Sequence, residues 1–253
     1  MEKSKAILQS LLPVVMWLAV QSVVSLVFLF WRNYPPYFDG VLINFVTLVI
    51  GGIWYQSLKK RENTQEITVS PVEWIGLALL GGAIQFCTSF AVTGISGLFP
   101  QEMENYANVM ESLGMYSPTF FSVVYTMLLA PFLEELIFRG LTLKILEKSF
   151  PFWIANILQA LYFGIIHGNI IQSTYAFFAG LLFGSVMYKY RSLKCVIWCH
   201  FFVNFLGMVL GMFPIPMWIG VLLTVVPLGI LWGMEKRKVD DNLGKCSFFE
   251  KKN

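Results

Sequence analysis

Eight apolar runs dominate this chain, at roughly 8–31, 40–58, 72–98, 118–143, 151–167, 170–188, 195–213 and 215–234. Most are too long for a strand and too evenly apolar for a helix that shows one face to water. Only 13% of residues are charged and 57% are hydrophobic, whereas a soluble domain carries about 25% charged residues. So little charge cannot cover a water-facing surface. Lipid is the solvent that fits, and in lipid each backbone polar group must be satisfied within its own segment, so every run should be helix. About 20 residues span the hydrocarbon. The expected fold is therefore all-α, a polytopic transmembrane bundle of about eight spans in a cell membrane. The fifth run is short and the third long. The first is too long for a cleaved signal and lacks a small-residue cleavage site, so it reads as an anchor.

Charge sets the orientation. Lys3, Lys5, Lys59, Lys60, Arg61, Lys144, Lys148, Lys189, Arg191, Lys194 and six basic residues of the tail fall on one side, 16 of the 18 Lys and Arg. The other side holds Arg32 and a connection, 100–117, with Glu102, Glu104 and Glu111 but no Lys or Arg. Basic loops stay in the cytoplasm, so both termini are expected there. Trp31, Trp54, Trp74 and Trp232 fall near span ends, as interfacial aromatics do.

With basic residues spread over segment ends rather than gathered in a patch, nucleic acid is not an expected partner; the bilayer is. Cys87, Cys195, Cys199 and Cys246 form no disulfide framework. Cys195-x3-Cys199-His200 lacks the spacing and second pair of a zinc site, so the thiols read as apolar packing. Gly94-Ile95-Ser96-Gly97 offers Ser96 as a serine nucleophile, but it sits at a span end, and small residues are common where membrane helices pack closely. Gly51-Gly52 and Gly81-Gly82 read the same way.

The informative residues are polar ones inside spans. The fourth run contains Glu134-Glu135 and Arg139, and each such charge costs about 2.5–3.5 kcal/mol at a bilayer centre even on an insertion scale. Glu135 and Arg139 are four apart with the acid first, the favourable order for a helical ion pair. Glu134 points about 100° away around the helix and is free to face something else. The chain has two histidines, both in spans. His167 closes the fifth run. His200 lies four before Asn204, on one helix face. A lone intramembrane histidine is ordinarily a packed, hydrogen-bonded residue; these groups gathered on three spans point to a site. A carboxylate there can serve as general base. One imidazole can orient the same water, and another, with an amide, can donate to a developing oxyanion. The set suits peptide hydrolysis without a covalent intermediate.

The three motifs, Glu134-Glu135…Arg139, Phe163…His167 and His200…Asn204, resemble the CPBP family of intramembrane endopeptidases, the CAAX proteases and bacteriocin-processing or Abi proteins. The resemblance implies a catalytic core over 117–210, preceded by helices in 1–116 and followed by a last span and basic tail in 211–253. It implies Glu134 as the catalytic base, His167 holding the water, His200 and Asn204 as the oxyanion site, and Glu135 with Arg139 as support. Substrates would be peptide precursors or membrane-anchored proteins; prenyl-CAAX cleavage fits a chain this short less well. No cofactor is expected. Zinc, if bound, would take Glu134, His167 and His200, a three-ligand open site, but no His-Glu-x-x-His is present and Asn204 suits an oxyanion better.

Two other classes are compatible with the same residues: a proton-coupled transporter with a Glu–His relay, against which the lack of repeated halves counts, and a non-catalytic bacteriocin-immunity protein. Depth poses a further question. At 1.5 Å per residue, Glu134 lies ~15 Å from Lys144, His200 ~9 Å from Lys194 and His167 ~24 Å from Pro151. These groups meet if the fifth helix starts near Asn156 or if helices tilt. The site is then expected to open toward the cytoplasmic half.

Overall fold

A computed structural model describes residues 2–31, 33–62 and 68–213, with 216, 218–220, 222 and 226–229. Among them are eight helices and no strand. In chain order they are α1 (Lys3–Phe28), α2 (Phe38–Glu62), α3 (Pro71–Ile95), α4 (Pro100–Ser112), α5 (Phe120–Glu147), α6 (Phe152–Ile165), α7 (Ile170–Tyr190) and α8 (Leu193–Met212). Six are long and apolar enough to cross a membrane: α1, α2, α3, α5, α7 and α8. The chain is a multi-pass helical membrane protein.

Among the described residues about six spans are present, where eight were expected of the chain. The fifth run forms α6, whose 14 residues reach about 21 Å at 1.5 Å each, short of a ~30 Å hydrocarbon core. Most of the eighth run, 215–234, lies outside the described residues. The connection 100–117 carries a further helix, α4. Pro100 opens it at a position where a missing N–H costs nothing, and Met103, Tyr106, Met110 and Leu113 recur at helical spacing along it.

Local sequence sets several boundaries. Ser70-Pro71-Val72-Glu73 is a capping box with proline in the first turn, and it fixes where α3 begins. Asn169 caps α7 by accepting from the amides of Ile171 and Gln172. Gly168 takes the left-handed turn before it, at φ 69°, a conformation open to glycine at no steric cost. So α6 stops at Ile165 and the chain reverses at His167-Gly168.

Along α5 the helix widens twice into π turns, at Val124–Leu129 and Leu136–Leu143, on either side of an α segment, Ala130–Glu135. Such turns are frequent at functional sites. Pro131 explains part of this. The amide of Ala130 donates to the Tyr125 carbonyl five residues back, and Pro131 has no N–H for the next one. The Thr126 carbonyl is thereby released from the helix.

Close helix contacts rest on small residues, as expected where lipid removes the hydrophobic drive between helices. A side chain at Gly184 would collide with the Asn156 side chain across the α6–α7 contact, and one at Gly180 would press on Ala160 at 3.1 Å. Gly81 of α3 meets the Cys199 carbonyl of α8 with no room for a Cβ. Thr142 of α5 ties α1 by donating to the Ser10 carbonyl at 3.2 Å. The core is densest around α5, where Leu133, Ile137, Phe138, Leu141 and Leu146 are fully buried. Exposed apolar side chains such as Leu8, Ile53, Phe90 and Trp153 suit a lipid-facing surface.

Gly184→Ala should destabilise the protein by about 1–3 kcal/mol, the usual cost of overpacking, seen as a lower midpoint of thermal unfolding in detergent. Adding Asn156→Ala should recover part of that loss, because it removes the group the new methyl strikes. A double variant no more stable than Gly184→Ala would contradict this account of the contact.

Candidate active site

The site is built outward from one buried carboxylate. Glu135 is fully buried, and its Oε1 accepts from Arg139 Nη1 at 2.9 Å and lies 2.6 Å from His200 Nδ1. The carboxylate accepts, so Nδ1 carries the hydrogen and Nε2 of His200 is left facing outward. The ion pair foreshadowed by the four-residue spacing is present, and the structure adds a histidine from α8 to it.

Arg139 is fully buried too. Its Nη2 donates to the Gly180 carbonyl of α7 at 3.2 Å. Its guanidinium lies 4.5 Å from the Phe163 ring centre and 5.2 Å from that of Phe183, so two aromatic faces supply cation–π attraction to a charge cut off from water. The Gly180 carbonyl also accepts from Gln159 Nε2 at 3.0 Å, and Gln159 donates to Asn156 Oδ1 at 2.7 Å. Asn156 Nδ2 in turn donates to the Leu181 carbonyl. This buried amide pair was not singled out from the sequence. The Gly180-x-x-x-Gly184 spacing beside Asn156 and Gln159 was its available signal.

Glu134 faces the other way, as its place on the helix requires. Its side chain is 16% exposed, and its Oε2 is 3.8 Å from His200 Nε2. That gap is too long for a hydrogen bond, yet one water about 2.8 Å from each atom would contact both. His200 is held flat on Phe183, with ring centres 4.7 Å apart at 25°.

His167 follows the C-terminal end of α6, with Nδ1 2.7 Å from the Phe163 carbonyl. A carbonyl only accepts, so Nδ1 donates and Nε2 is free to accept. α6 begins at Phe152, not near Asn156, so a late start does not bring His167 to the other groups. Asn204 of α8 donates from Nδ2 to the Thr126 carbonyl at 2.8 Å, the carbonyl that Pro131 releases. That bond leaves its second amide hydrogen unused.

Glu134, His167, His200 and Asn204 all line one cavity of about 580 Å³. Neutral polar groups continue the lining, among them Gln85, Ser89, Gln172 and Tyr175. α4 roofs it: Tyr106 stands edge-on to Tyr175 with ring centres 6.2 Å apart. Burial pushes the Tyr106 phenol above the usual tyrosine range, so it stays a neutral hydrogen-bonding group. The cavity is lined mostly from the halves of the spans remote from the basic loops. Ser96 is half-buried and donates back to the Thr93 carbonyl, and it does not line the cavity. Cys195 and Cys199 are buried.

Among the described residues no group of three His, Cys, Asp or Glu is placed to hold a metal ion. Glu134, His167 and His200 do not form such a group, although the Nδ1 contacts of the two histidines leave each Nε2 available as a ligand.

The family model for type II CAAX prenyl endopeptidases, Rce1-like, matches residues 116–206. The match covers 91 of the 253 residues, so this stretch is similar to the Rce1-like family. The matched segment runs from just before α5 into α8 and contains all seven residues of the three motifs. Members of this family are CAAX endopeptidases, acting on membrane-associated proteins or peptides. Comparison with curated proteins and with solved structures gives no match. Within the Rce1-like region, Gln159 of the amide pair on α6 shares the Gly180 carbonyl with Arg139.

Arg139→Met, which strands the Glu135 charge, should cost about 3–5 kcal/mol of stability. Glu134→Gln should shift thermal unfolding little, because that carboxylate is partly exposed and makes no hydrogen bond to a described residue. Equal losses in the two variants would contradict this division of labour.

Proposed function

We propose that the protein is an intramembrane endopeptidase that hydrolyses peptide bonds with a water activated by Glu134. The observation that carries this is the 3.8 Å approach of Glu134 Oε2 to His200 Nε2 at the cavity wall, with His200 pinned from behind by Glu135. The Rce1-like match supports the same class of reaction.

In the proposed reaction Glu134 accepts a proton from water while the water oxygen bonds to the substrate carbonyl carbon. His167 holds that water through its free Nε2. The carbonyl electrons move onto oxygen, and the oxyanion is met by the free amide hydrogen of Asn204 and by His200. For His200 to donate there it must carry hydrogen on Nε2 as well as Nδ1. In that state two carboxylates, Glu134 and Glu135, face two cations, Arg139 and His200, and the site is neutral overall, a low-cost arrangement where water is scarce. Collapse of the oxyanion breaks the C–N bond, and the proton held by Glu134 passes to the leaving amine. Electrostatic stabilisation of this kind is typically the largest single contribution to catalysis.

Purified protein incubated with membrane-anchored peptide precursors should cut them. Glu134→Ala and His200→Ala should abolish cleavage, and Asn204→Ala should lower kcat by about 10²–10³, as loss of an oxyanion donor does. Cleavage should persist in the presence of a chelator. Turnover surviving both Glu134→Ala and His200→Ala would sink the mechanism. Proton flux into liposomes without any cleavage would favour a transporter.

Pro131 positions Asn204 through the Thr126 carbonyl. Pro131→Ala restores an N–H that competes for that carbonyl, worth about 0.5–1.5 kcal/mol. It should lower kcat by up to about tenfold while leaving the unfolding midpoint and KM nearly unchanged. A variant with wild-type kcat would show that the released carbonyl does not position Asn204.

A further inference from the structure

The cavity has a direction. α1, α3 and α8 begin next to basic residues, at Lys3, after Arg61 and after Arg191; α5 and α7 end next to them, at Lys144 and Lys189. Most of the lining comes from the other half of each helix, with Phe183 of α7 and His200 of α8 at the inner end of the cavity. Gln21 lines it from far along α1 and Ser89 from far along α3; Tyr125 does so from early in α5 and Gln172 from early in α7. Gly211 lines it one residue before the end of α8, and Met110 of α4 lines the same end. Deeper than Glu135 and Arg139 the bundle is closely packed: Phe138, Leu141, Leu143, Leu146 and Val196 are buried to within 1%, and the space between Arg139, Leu143, Met187 and Arg191 is a pocket of about 50 Å³, against about 580 Å³ on the other side. The mouth therefore lies on the face carrying the acidic α4, and the packed floor lies toward the basic face.

Basic flanking residues remain in the cytoplasm. Resting on the endopeptidase reading above, we propose that the site opens to the side of the membrane opposite the cytoplasm, and that its substrate is a polypeptide presented there: an exported or membrane-anchored precursor cut in the stretch that emerges from the outer leaflet. The inference deepens that reading by naming where the scissile segment must be. The cavity entrance suits such a segment, with neutral hydrogen-bonding groups from Gln85, Ser89 and Gln172 able to meet an extended backbone.

The test uses the full chain in a bacterial host, with Cys87→Ser and Cys246→Ser to remove other reactive thiols; Cys195 and Cys199 are buried. Ser89→Cys probes the cavity, Lys148→Cys marks the basic face, and the background chain without either sets the baseline. A membrane-impermeant maleimide is applied to intact spheroplasts and to inside-out vesicles. The expected result is labelling of Ser89→Cys in spheroplasts and of Lys148→Cys in inside-out vesicles only. Labelling of both positions from the same side would overturn the proposal. If Ser89→Cys does not fold, Gln172→Cys probes the same cavity from α7. A membrane-impermeant quenched peptide matching a precursor cut by the purified enzyme is then offered to each preparation. Cleavage in spheroplasts supports the proposal, and cleavage in inside-out vesicles alone overturns it. The labelling needs no turnover, so a protein that labels as expected but cuts no precursor refutes the endopeptidase reading and leaves the direction of the cavity supported.

Discussion

The structure depends on how one carboxylate is kept charged inside a membrane protein. Glu135 has no water, and an isolated buried ion costs several kcal/mol. It is matched by Arg139 one turn away and by His200 from a different helix. Arg139 must be matched in turn, and the Gly180 carbonyl with the rings of Phe163 and Phe183 does this. Satisfying one charge thus draws α5, α6, α7 and α8 to a single point. These are the helices of the Rce1-like region, while α1, α2 and α3 enclose it. The cluster also fixes which nitrogen of His200 can reach the cavity, so the demand for internal charge balance and the orientation of a reactive group are met by the same contacts.

Backbone groups follow the same economy. In hydrocarbon a released carbonyl has to find a partner, and Pro131 releases the one at Thr126. Asn204 is that partner. A residue that breaks a helix on α5 therefore orients an amide on α8, and the π turns of α5 are the local geometry through which it does so. Gly184 and Gly180 act at a further remove. They let α6 come close enough for Asn156 and Gln159 to reach the α7 backbone, which keeps the Gly180 carbonyl in place for Arg139.

Much of this was legible in the sequence because the membrane makes polar residues conspicuous. Low charge and long apolar runs imply a helical bundle, and the four-residue step from Glu135 to Arg139 implies their pairing and Glu134 facing elsewhere. What was not legible depends on partners from distant segments. Nothing in the fifth run distinguishes a short helix ending at Ile165 from a full span; the reversal at Gly168–Asn169 decides it. Counting apolar runs overestimates spans for that reason. Pro131 follows the first π turn, but the second, at Leu136–Leu143, leaves no compositional trace. α4 was hidden differently: its charges read as a loop, although its apolar residues recur at helical spacing.

The closed floor bears on which chemistry the buried Glu and His can serve. A transporter has to expose its binding residues to both faces in turn, usually through discontinuous helices. Here the path from Glu134 toward the basic face is blocked by the Glu135–Arg139–His200 cluster and the fully buried Phe138, Leu141 and Leu146 beneath it. Opening that path would separate the charges on which the core depends. A hydrolase has the opposite need. It must admit water and an unfolded stretch of chain from one side while the membrane stays sealed, and its reactive groups must keep one geometry throughout. A wet cavity ending on a rigid, internally neutralised floor meets that need, and the same rigidity that would obstruct transport holds Glu134 and His200 at the distance a single water can bridge.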